Sequence, residues 1–213
     1  MNIALIYFNF PFWRAEVARI SLFIANKDFK DIRITREEFL RVKESGTLDN
    51  GIKIPFHQLP CLVINNDSVA QTAGIARFCG KISNLYPLQN NIDAVKIDQF
   101  IDFATDITFM ISFTKPEDRK NNFLEGIQKK LFILNKHIDT KCTYLVNNTI
   151  SIADITIWSL MCWLTSGKID GIPVNIIQNF KNISNICLAV DRHPKVNEWV
   201  KKTFPENYPK NLS

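Results

Sequence analysis

Two short stretches of the sequence carry side chains that could hold an anion. Tyr7 stands near the end of an apolar run, and Gln71 and Thr72 stand where a strand stops and a helix starts. The first turn of a helix has free N–H groups and the positive end of the helix dipole, so it favours a carboxylate. A phenol at the carboxyl end of a strand in an open α/β sheet lies at the edge where ligands bind, and it could donate a hydrogen bond there.

Each of these residues also has a purely structural interpretation. Thr72 could simply cap the helix that follows it, and Tyr7 could simply pack. Leu59-Pro60 opens an apolar strand. A cis bond there would turn the preceding backbone toward a ligand, whereas the two residues alone favour an ordinary trans bond.

Two further patterns lie in the second half of the chain. Asp98, Asp102 and Asp106 are spaced by four and so share one helix face. That face is either solvated or lines a groove that takes a cationic ligand or partner. Ser151 and Asp154 have the spacing of a capping box at the start of an apolar helix, which is a structural role.

The first half of the chain predicts the order β-α-β-α-β-β-α. Strands are expected at 3–8, 29–34, 61–64 and 68–70, with helices at 14–26, from Arg36 to near Gly46, and at 72–84. The leading β-α-β unit implies parallel strands joined by a right-handed crossover, and the hairpin at 61–70 adds an antiparallel edge.

The second half predicts helices alone. Apolar residues recur at helical spacing in 94–113, 123–138, 152–165, 175–190 and 194–203. We therefore predict an α/β domain at 1–85, a polar linker at 86–92 and an all-α domain at 93–213.

Composition excludes several classes of protein. The chain has 213 residues, 46% of them hydrophobic, and a formal charge of +5 from scattered charges, which does not indicate a nucleic-acid protein. No apolar run is long enough for a membrane span, and the N-terminus predicts a first strand in place of a signal peptide. Five scattered cysteines indicate thiols in a reducing cytoplasm, and three scattered histidines predict no metal site.

Taken together, these motifs resemble the cytosolic glutathione transferases of the tyrosine type, near the sigma, mu and alpha classes. The resemblance covers essentially the whole chain. It is carried by "QLPCLVINNDSVAQTAGIARFCG", by "IYFNFPFWRAEVAR" and by "SIAD". It implies a thioredoxin-like glutathione-binding domain followed by the all-α domain, and a homodimer that uses glutathione as co-substrate and no metal.

The resemblance also implies roles for individual residues. Tyr7 matches the catalytic tyrosine, whose hydroxyl donates to the sulfur of glutathione and favours the thiolate, and Arg14 matches an arginine near the thiol. Each unit by which the thiol pKa is lowered corresponds to about 1.4 kcal/mol. The implied glutathione-binding positions are Tyr7, Phe39, Lys43, Gln58, Leu59, Pro60, Gln71, Thr72 and Asp106.

Within that set, Lys43 pairs with the glycine carboxylate, and the backbone of Leu59 pairs with the cysteinyl part as an added strand would. Gln71 and Thr72 hold the γ-glutamyl carboxylate. Asp106 reaches the γ-glutamyl ammonium in the neighbouring subunit.

Some positions depart from the family pattern. The turn Phe10-Pro11-Phe12-Trp13 is bulky and one residue longer than usual, and Phe39 stands where several relatives have tryptophan. The pocket for an apolar electrophile is predicted from Phe10, Phe12, Trp13 and Met110. Phe56 either plugs a partner subunit, as in mu-like enzymes, or packs inside its own loop.

The leading functional hypothesis is conjugation of glutathione to soft electrophiles, with detoxification as its setting. The alternatives are a glutathione-dependent isomerase of the prostaglandin-synthase type and a non-catalytic ligand-binding or structural relative.

Overall fold

The computed structural model of the protein describes residues 1–119, 121–204 and 208–212. Its first part contains the strands β1 (Ile3–Phe8), β2 (Lys30–Ile34), β3 (Cys61–Ile64) and β4 (Asp67–Ala70), and the helices α1 (Trp13–Ile24), α2 (Arg36–Ser45) and α3 (Thr72–Ile82). The predicted order β-α-β-α-β-β-α is confirmed.

The four strands form one mixed sheet in the order β2-β1-β3-β4. β1 and β2 are parallel, as the β-α-β unit predicted, and β3 and β4 form the antiparallel hairpin. In the register between β1 and β3, Ile6 lies opposite Cys61, and in the hairpin Cys61 lies opposite Ala70. The carboxyl end of β1, the start of β3 and the end of β4 therefore meet at one edge of the sheet.

Local sequence explains where α2 begins and ends. Thr35 Oγ1 accepts from the N–H of Glu38 at 3.1 Å, and the Glu38 carboxylate accepts from the N–H of Thr35 at 2.7 Å. This reciprocal pair satisfies two donors that a helix N-terminus otherwise leaves free. Gly46 ends the helix at φ 71°, in the left-handed region that glycine enters without steric cost.

Five α-helices, joined by turns and loops, make up the second part of the described chain. They are α4 (Asn91–Phe113), α5 (Asn121–His137), α6 (Ile152–Leu164), α7 (Lys181–Asp191) and α8 (Pro194–Thr203). α4 begins inside the predicted linker, because the Asn90 side chain accepts from the N–H groups of Ile92 and Asp93 and caps the helix there. The predicted fold class, a thioredoxin-like α/β region followed by an all-α region, is confirmed.

One predicted helix starts too early. Apolar spacing favoured a helix over 175–190, but α7 begins at Lys181. Residues 175–180 form tight turns instead, with hydrogen bonds from Ile176 to Pro173 and from Phe180 to Ile177. Ile176 and Ile177 are nevertheless buried. Their apolar side chains therefore reflect burial within a turn and not a position on a helix.

The two regions share a continuous core through α1. Phe12 packs on Trp163 of α6 with ring centroids 4.6 Å apart, and the Trp13 indole donates to Thr108 of α4. The Trp199 indole of α8 donates to Glu16. In the described part of the chain, no helix is both long and apolar enough to cross a membrane.

Candidate active site

The strand registers bring the predicted chemistry together at one edge of the sheet. Tyr7 follows Ile6, Pro60 precedes Cys61, and Gln71 follows Ala70. Ile6, Cys61 and Ala70 are successive partners across three strands, so Tyr7, Pro60 and Gln71 lie level with one another. Residues separated by more than sixty positions in the chain thus surround one small region.

Tyr7 is buried in an aromatic setting. Only 4% of its surface is exposed, and its ring contacts those of Phe8, Phe10 and Phe12 at centroid distances of 5.2, 5.8 and 6.4 Å. Burial raises the pKa of the phenol well above its usual value, and the positive charge of Arg14 opposes that rise. A phenol of ordinary pKa, about 10, is already protonated at neutral pH, and burial favours the same form, so Tyr7 can act as a hydrogen-bond donor.

Arg14 lies close enough to Tyr7 for the two groups to interact electrostatically. Burial lowers the pKa of the guanidinium, and interaction with Tyr7 raises it. Its guanidinium carbon also lies 6.0 Å from the centre of the Phe12 ring. A half-buried cation beside a protonated phenol favours an anion placed between them.

Thr72 does not cap α3. Gln71 is the N-cap residue, and neither side chain makes a capping hydrogen bond in the described structure. Thr72 is 4% exposed, and its Oγ1 is buried with no hydrogen-bond partner among the described residues. A buried hydroxyl without a partner costs about 1–3 kcal/mol, so this position calls for a reason other than capping.

Gln71 adopts a backbone conformation that few non-glycine residues use, with φ 75° and ψ 111°. Such a conformation costs of the order of 1–3 kcal/mol and is found most often at functional sites. Its side-chain amide donates to Gln58 Oε1 at 3.2 Å. The Leu59-Pro60 bond is cis, so the trans bond that the two residues favoured is wrong and the geometry implied by the family resemblance is correct.

Phe39 and Lys43 occupy one face of α2 above the same edge. The Phe39 ring meets the Phe8 ring edge-on at 5.2 Å, which ties α2 to the end of β1. The Lys43 ammonium lies 5.3 Å from the centre of the Phe39 ring and is otherwise directed outward, since Lys43 is exposed. An exposed ammonium at this position can reach a carboxylate.

The bulky turn after β1 fills space beside Tyr7. Trp13 is fully buried, with Nε1 2.6 Å from Thr108 Oγ1, and Phe12 is 9% exposed. Phe10 is 41% exposed, and Met110 of α4 is half-buried. Of the four residues predicted for the electrophile pocket, Phe10 and Met110 thus present surface to solvent, while Phe12 and Trp13 form the packing beneath.

The acidic stripe on α4 is largely paired within the chain. Arg77 of α3 donates to Asp98 at 2.7 Å and to both oxygens of Asp102 at 2.8 and 2.9 Å. Asp106 is exposed and lies 3.6 Å from the Lys130 ammonium. All three carboxylates therefore have a cationic partner in the same protein, although Asp106 remains exposed.

A buried ionic cluster behind Tyr7 is a feature that sequence reasoning missed. Arg19 donates to Glu16 at 2.8 Å, to Asp31 at 3.0 Å and to the carbonyl of Phe8 at 3.3 Å. Both Glu16 and Arg19 are fully buried. The available signal was a Glu and an Arg three positions apart in a largely apolar helix. The cluster fixes the backbone next to Tyr7.

A cavity of about 1590 Å³ lies elsewhere, at the opposite end of the sheet. Its walls include Asn2, Ala4 and Lys30 at the amino ends of β1 and β2, and none of the predicted site residues lines it. The chemistry described above is therefore independent of that cavity.

Comparison with known proteins identifies the family. Residues 102–203 match the family model described as "Glutathione S-transferase, C-terminal domain". Glutathione S-transferase 2 of Caenorhabditis elegans is 24% identical over 88% of this chain and 92% of its own length. The chain belongs to the glutathione S-transferase family. The family prediction is confirmed, and the protein is a member of a family of transferase enzymes.

Solved structures of this glutathione S-transferase fold extend over both regions of the chain. The prostaglandin synthase D of Nilaparvata lugens has a TM-score of 0.78 at 28% identity and covers 95% of this chain and 98% of its own. A glutathione S-transferase of the hookworm Necator americanus, described as monomeric, has a TM-score of 0.77 at 22% identity, with coverage of 97% and 99%.

Proposed function

We propose that the protein is a glutathione transferase that joins the glutathione thiolate to soft, apolar electrophiles. The observation that carries this proposal is the buried Tyr7 phenol, which lies within electrostatic reach of Arg14 at the sheet edge. A protonated donor next to a cation is what a thiolate needs in order to form at neutral pH.

Tyr7 performs the chemical step as a hydrogen-bond donor. Its O–H donates to the sulfur of glutathione, and Arg14 adds a favourable positive potential, so the thiol loses its proton to solvent more readily. The thiolate then attacks the electrophilic carbon, a carbon–sulfur bond forms, and the leaving group departs with its bonding electrons. Phe10 and Met110 supply the exposed apolar surface for the electrophile, backed by Phe12 and Trp13.

The remaining site residues hold the peptide. The γ-glutamyl carboxylate accepts hydrogen bonds at the N-terminus of α3, where Thr72 supplies a hydroxyl that has no partner among the described residues. The backbone of Leu59 pairs with the cysteinyl part, and Gln58 lies beside it through its bond to Gln71. Lys43 pairs with the glycine carboxylate, and the Phe39 ring forms the adjacent wall.

The subunit arrangement proposed is a cytoplasmic homodimer in which Asp106 of one copy reaches the γ-glutamyl ammonium held by the other. Phe56 supports this arrangement, because it is 71% exposed and hence does not pack inside its own loop. We assign glutathione binding to a domain at 1–85, a linker to 86–92, and the electrophile site in part to a domain at 93–213.

The direct test uses the whole protein. We expect retention on immobilised glutathione, elution by free glutathione, and conjugation of 1-chloro-2,4-dinitrobenzene followed by absorbance. Retention without conjugation of this substrate or of other soft electrophiles would favour a binding protein. Absence of both retention and conjugation would overturn the proposal.

Glutathione-dependent isomerisation is the second candidate, favoured by the similarity to a solved structure named as a prostaglandin synthase. The same Tyr7-stabilised thiolate would serve, and the apolar pocket would select the substrate. Conversion of a prostaglandin endoperoxide by the wild type at a rate well above its conjugation rate would establish this candidate over the first.

A further inference from the structure

We propose that His57 is a positioning residue for glutathione binding, which fastens the C-terminal turn of α2 to the loop before Pro60. This inference rests on the proposed function and concerns the site at which glutathione binds. His57 itself touches none of the reacting groups. It acts through Lys43 and Gln58.

The contact between His57 and α2 is specific in its chemistry. His57 Nδ1 lies 2.9 Å from the main-chain carbonyl oxygen of Lys43. A carbonyl oxygen only accepts, so Nδ1 carries the proton and donates. The last carbonyls of a helix have no partner within it, and a side-chain donor there satisfies one of them.

The imidazole is also held by its packing. A Cβ atom added at Gly46 would stand 2.5 Å from His57 Nε2 and 2.9 Å from His57 Cδ2. The ring therefore lies directly on the glycine that ends α2. His57 has φ 51°, and the preceding Phe56 has φ 57°, so two consecutive residues without glycine's freedom occupy the left-handed region. This unusual backbone conformation places the His57 ring against the end of α2.

α2 requires such an attachment because it is weakly packed. Val42 is the single buried residue of this helix in the described structure. An element with few buried apolar contacts is free to move at low cost in free energy. Beside the exposed ion pair of Arg41 with Asp49, α2 is held by the Phe39 ring on Phe8 near its middle and by the His57 bond at its C-terminal turn.

His57 also links the three segments proposed to contact glutathione. It bonds to Lys43 in α2, its chain neighbour is Gln58, and Gln58 accepts from Gln71 at the start of α3 at 3.2 Å. These contacts fix the residues proposed to bind the glycine carboxylate of glutathione relative to those proposed to bind its γ-glutamyl end. Loss of the His57 contact should loosen glutathione binding and leave the chemistry at Tyr7 intact.

The test compares His57→Gly with His57→Asn. Glycine removes the donor without adding strain at positive φ, whereas asparagine tolerates this backbone and places an amide donor near the position of Nδ1. We expect His57→Gly to raise the KM for glutathione about five-fold, the equivalent of one hydrogen bond, with kcat at saturating glutathione within two-fold of the wild type. We expect His57→Asn to restore most of the wild-type KM.

Asn26→Gly is the matched control, because Asn26 is exposed, also has φ 51°, and lies at the end of α1 away from the site. It should leave the KM unchanged. Equal KM values for the wild type and His57→Gly overturn the inference while the transferase proposal stands. So does a fall in kcat that His57→Asn fails to restore. A wild type that neither binds glutathione nor conjugates it overturns both.

Discussion

The indole nitrogen of Trp13 lies 2.6 Å from the hydroxyl oxygen of Thr108, and both residues are completely buried. The Thr108 hydroxyl donates a hydrogen bond to the carbonyl of Ala104 at 2.8 Å, so its oxygen accepts from the indole. This pair joins the first residue of α1 to the C-terminal third of α4. It also anchors the long aromatic turn that lies next to Tyr7.

We predict that Thr108→Val lowers the free energy of unfolding by about 1–3 kcal/mol, because the buried indole N–H loses its acceptor at nearly constant volume. Thr108→Ser keeps the oxygen and should cost less than Thr108→Val. Urea unfolding followed by tryptophan fluorescence measures both. Equal stabilities of the valine and serine variants would show that the hydrogen bond contributes nothing.

Tyr7→Phe should reduce conjugation about 10- to 100-fold at neutral pH, the equivalent of a hydrogen bond to a charged group. In the wild type the rate should reach its plateau below pH 8.5, because the phenol stabilises the thiolate. In the variant the rate should continue to rise to about that pH, where a free thiol ionises.

Measurement of kcat/KM against pH for the wild type and Tyr7→Phe shows whether the plateau moves to higher pH in the variant. Tyr144→Phe is a control outside the site. Superimposable profiles for the wild type and Tyr7→Phe would remove Tyr7 from the mechanism.

Thr72→Val distinguishes binding from capping at α3. The hydroxyl of Thr72 has no partner in the described structure, so its removal should leave the unfolding free energy unchanged or slightly higher. The dissociation constant for glutathione should rise about ten-fold, because a bond to a carboxylate is lost. Titration calorimetry and thermal unfolding measure the two effects. A loss of stability without a loss of affinity would mean that Thr72 serves the helix and not the ligand.

Phe56→Ser tests the role of the exposed phenyl ring. Because Phe56 is 71% exposed in the single chain, the substitution should leave the stability of the subunit nearly unchanged and shift a dimer toward monomer. Sedimentation equilibrium measures the association. Leu88→Ser is the control for loss of an exposed apolar residue, at 69% exposure. Equal association constants for Phe56→Ser and the wild type would exclude the ring from the interface.

Burial of the Asp154 carboxylate should make the stability of the protein depend on pH. Its oxygens accept from the N–H groups of Leu145 and Ser151 at 2.7 and 2.8 Å and from Ser151 Oγ at 2.6 Å, but burial dominates and raises the pKa to about 6. The unfolded chain releases this proton near pH 4. Between these values the native state binds more protons, so stability falls as pH rises, by about 3 kcal/mol in total.

The unfolding free energy of the wild type, taken relative to Asp154→Asn, should therefore decrease from pH 4 to pH 7 and stay constant above that range. Chemical unfolding at several pH values measures this difference. A difference that is constant or that grows with pH would contradict the assigned pKa direction.

Features encoded by neighbouring residues were predictable from the sequence. The strand and helix order followed from apolar periodicity, and the ends of α2 followed from Thr35, Glu38 and Gly46. These signals are local, since each depends on residues within a few positions of one another. The start of α7 at Lys181 was misplaced because the apolar residues before it are buried in a turn and not in a helix.

Pairings across long stretches of chain were not predictable. No local signal indicates that Trp13 meets Thr108 or that Arg77 neutralises Asp98 and Asp102. Nor does one indicate that the hydroxyl of Thr72 lacks a partner within the described ranges. Each depends on which faces the packing of α1, α3 and α4 brings together.

The sequence by itself determined the family, the order of elements and the identity of the polar groups at the sheet edge. The tertiary structure decided which of those groups face one another: the strand registers set Tyr7, Pro60 and Gln71 level, and packing buried Phe12 and Trp13 but left Phe10 exposed. The physical reason is that propensity and capping act over one or two turns of backbone, whereas registers and side-chain burial are settled by the whole core at once.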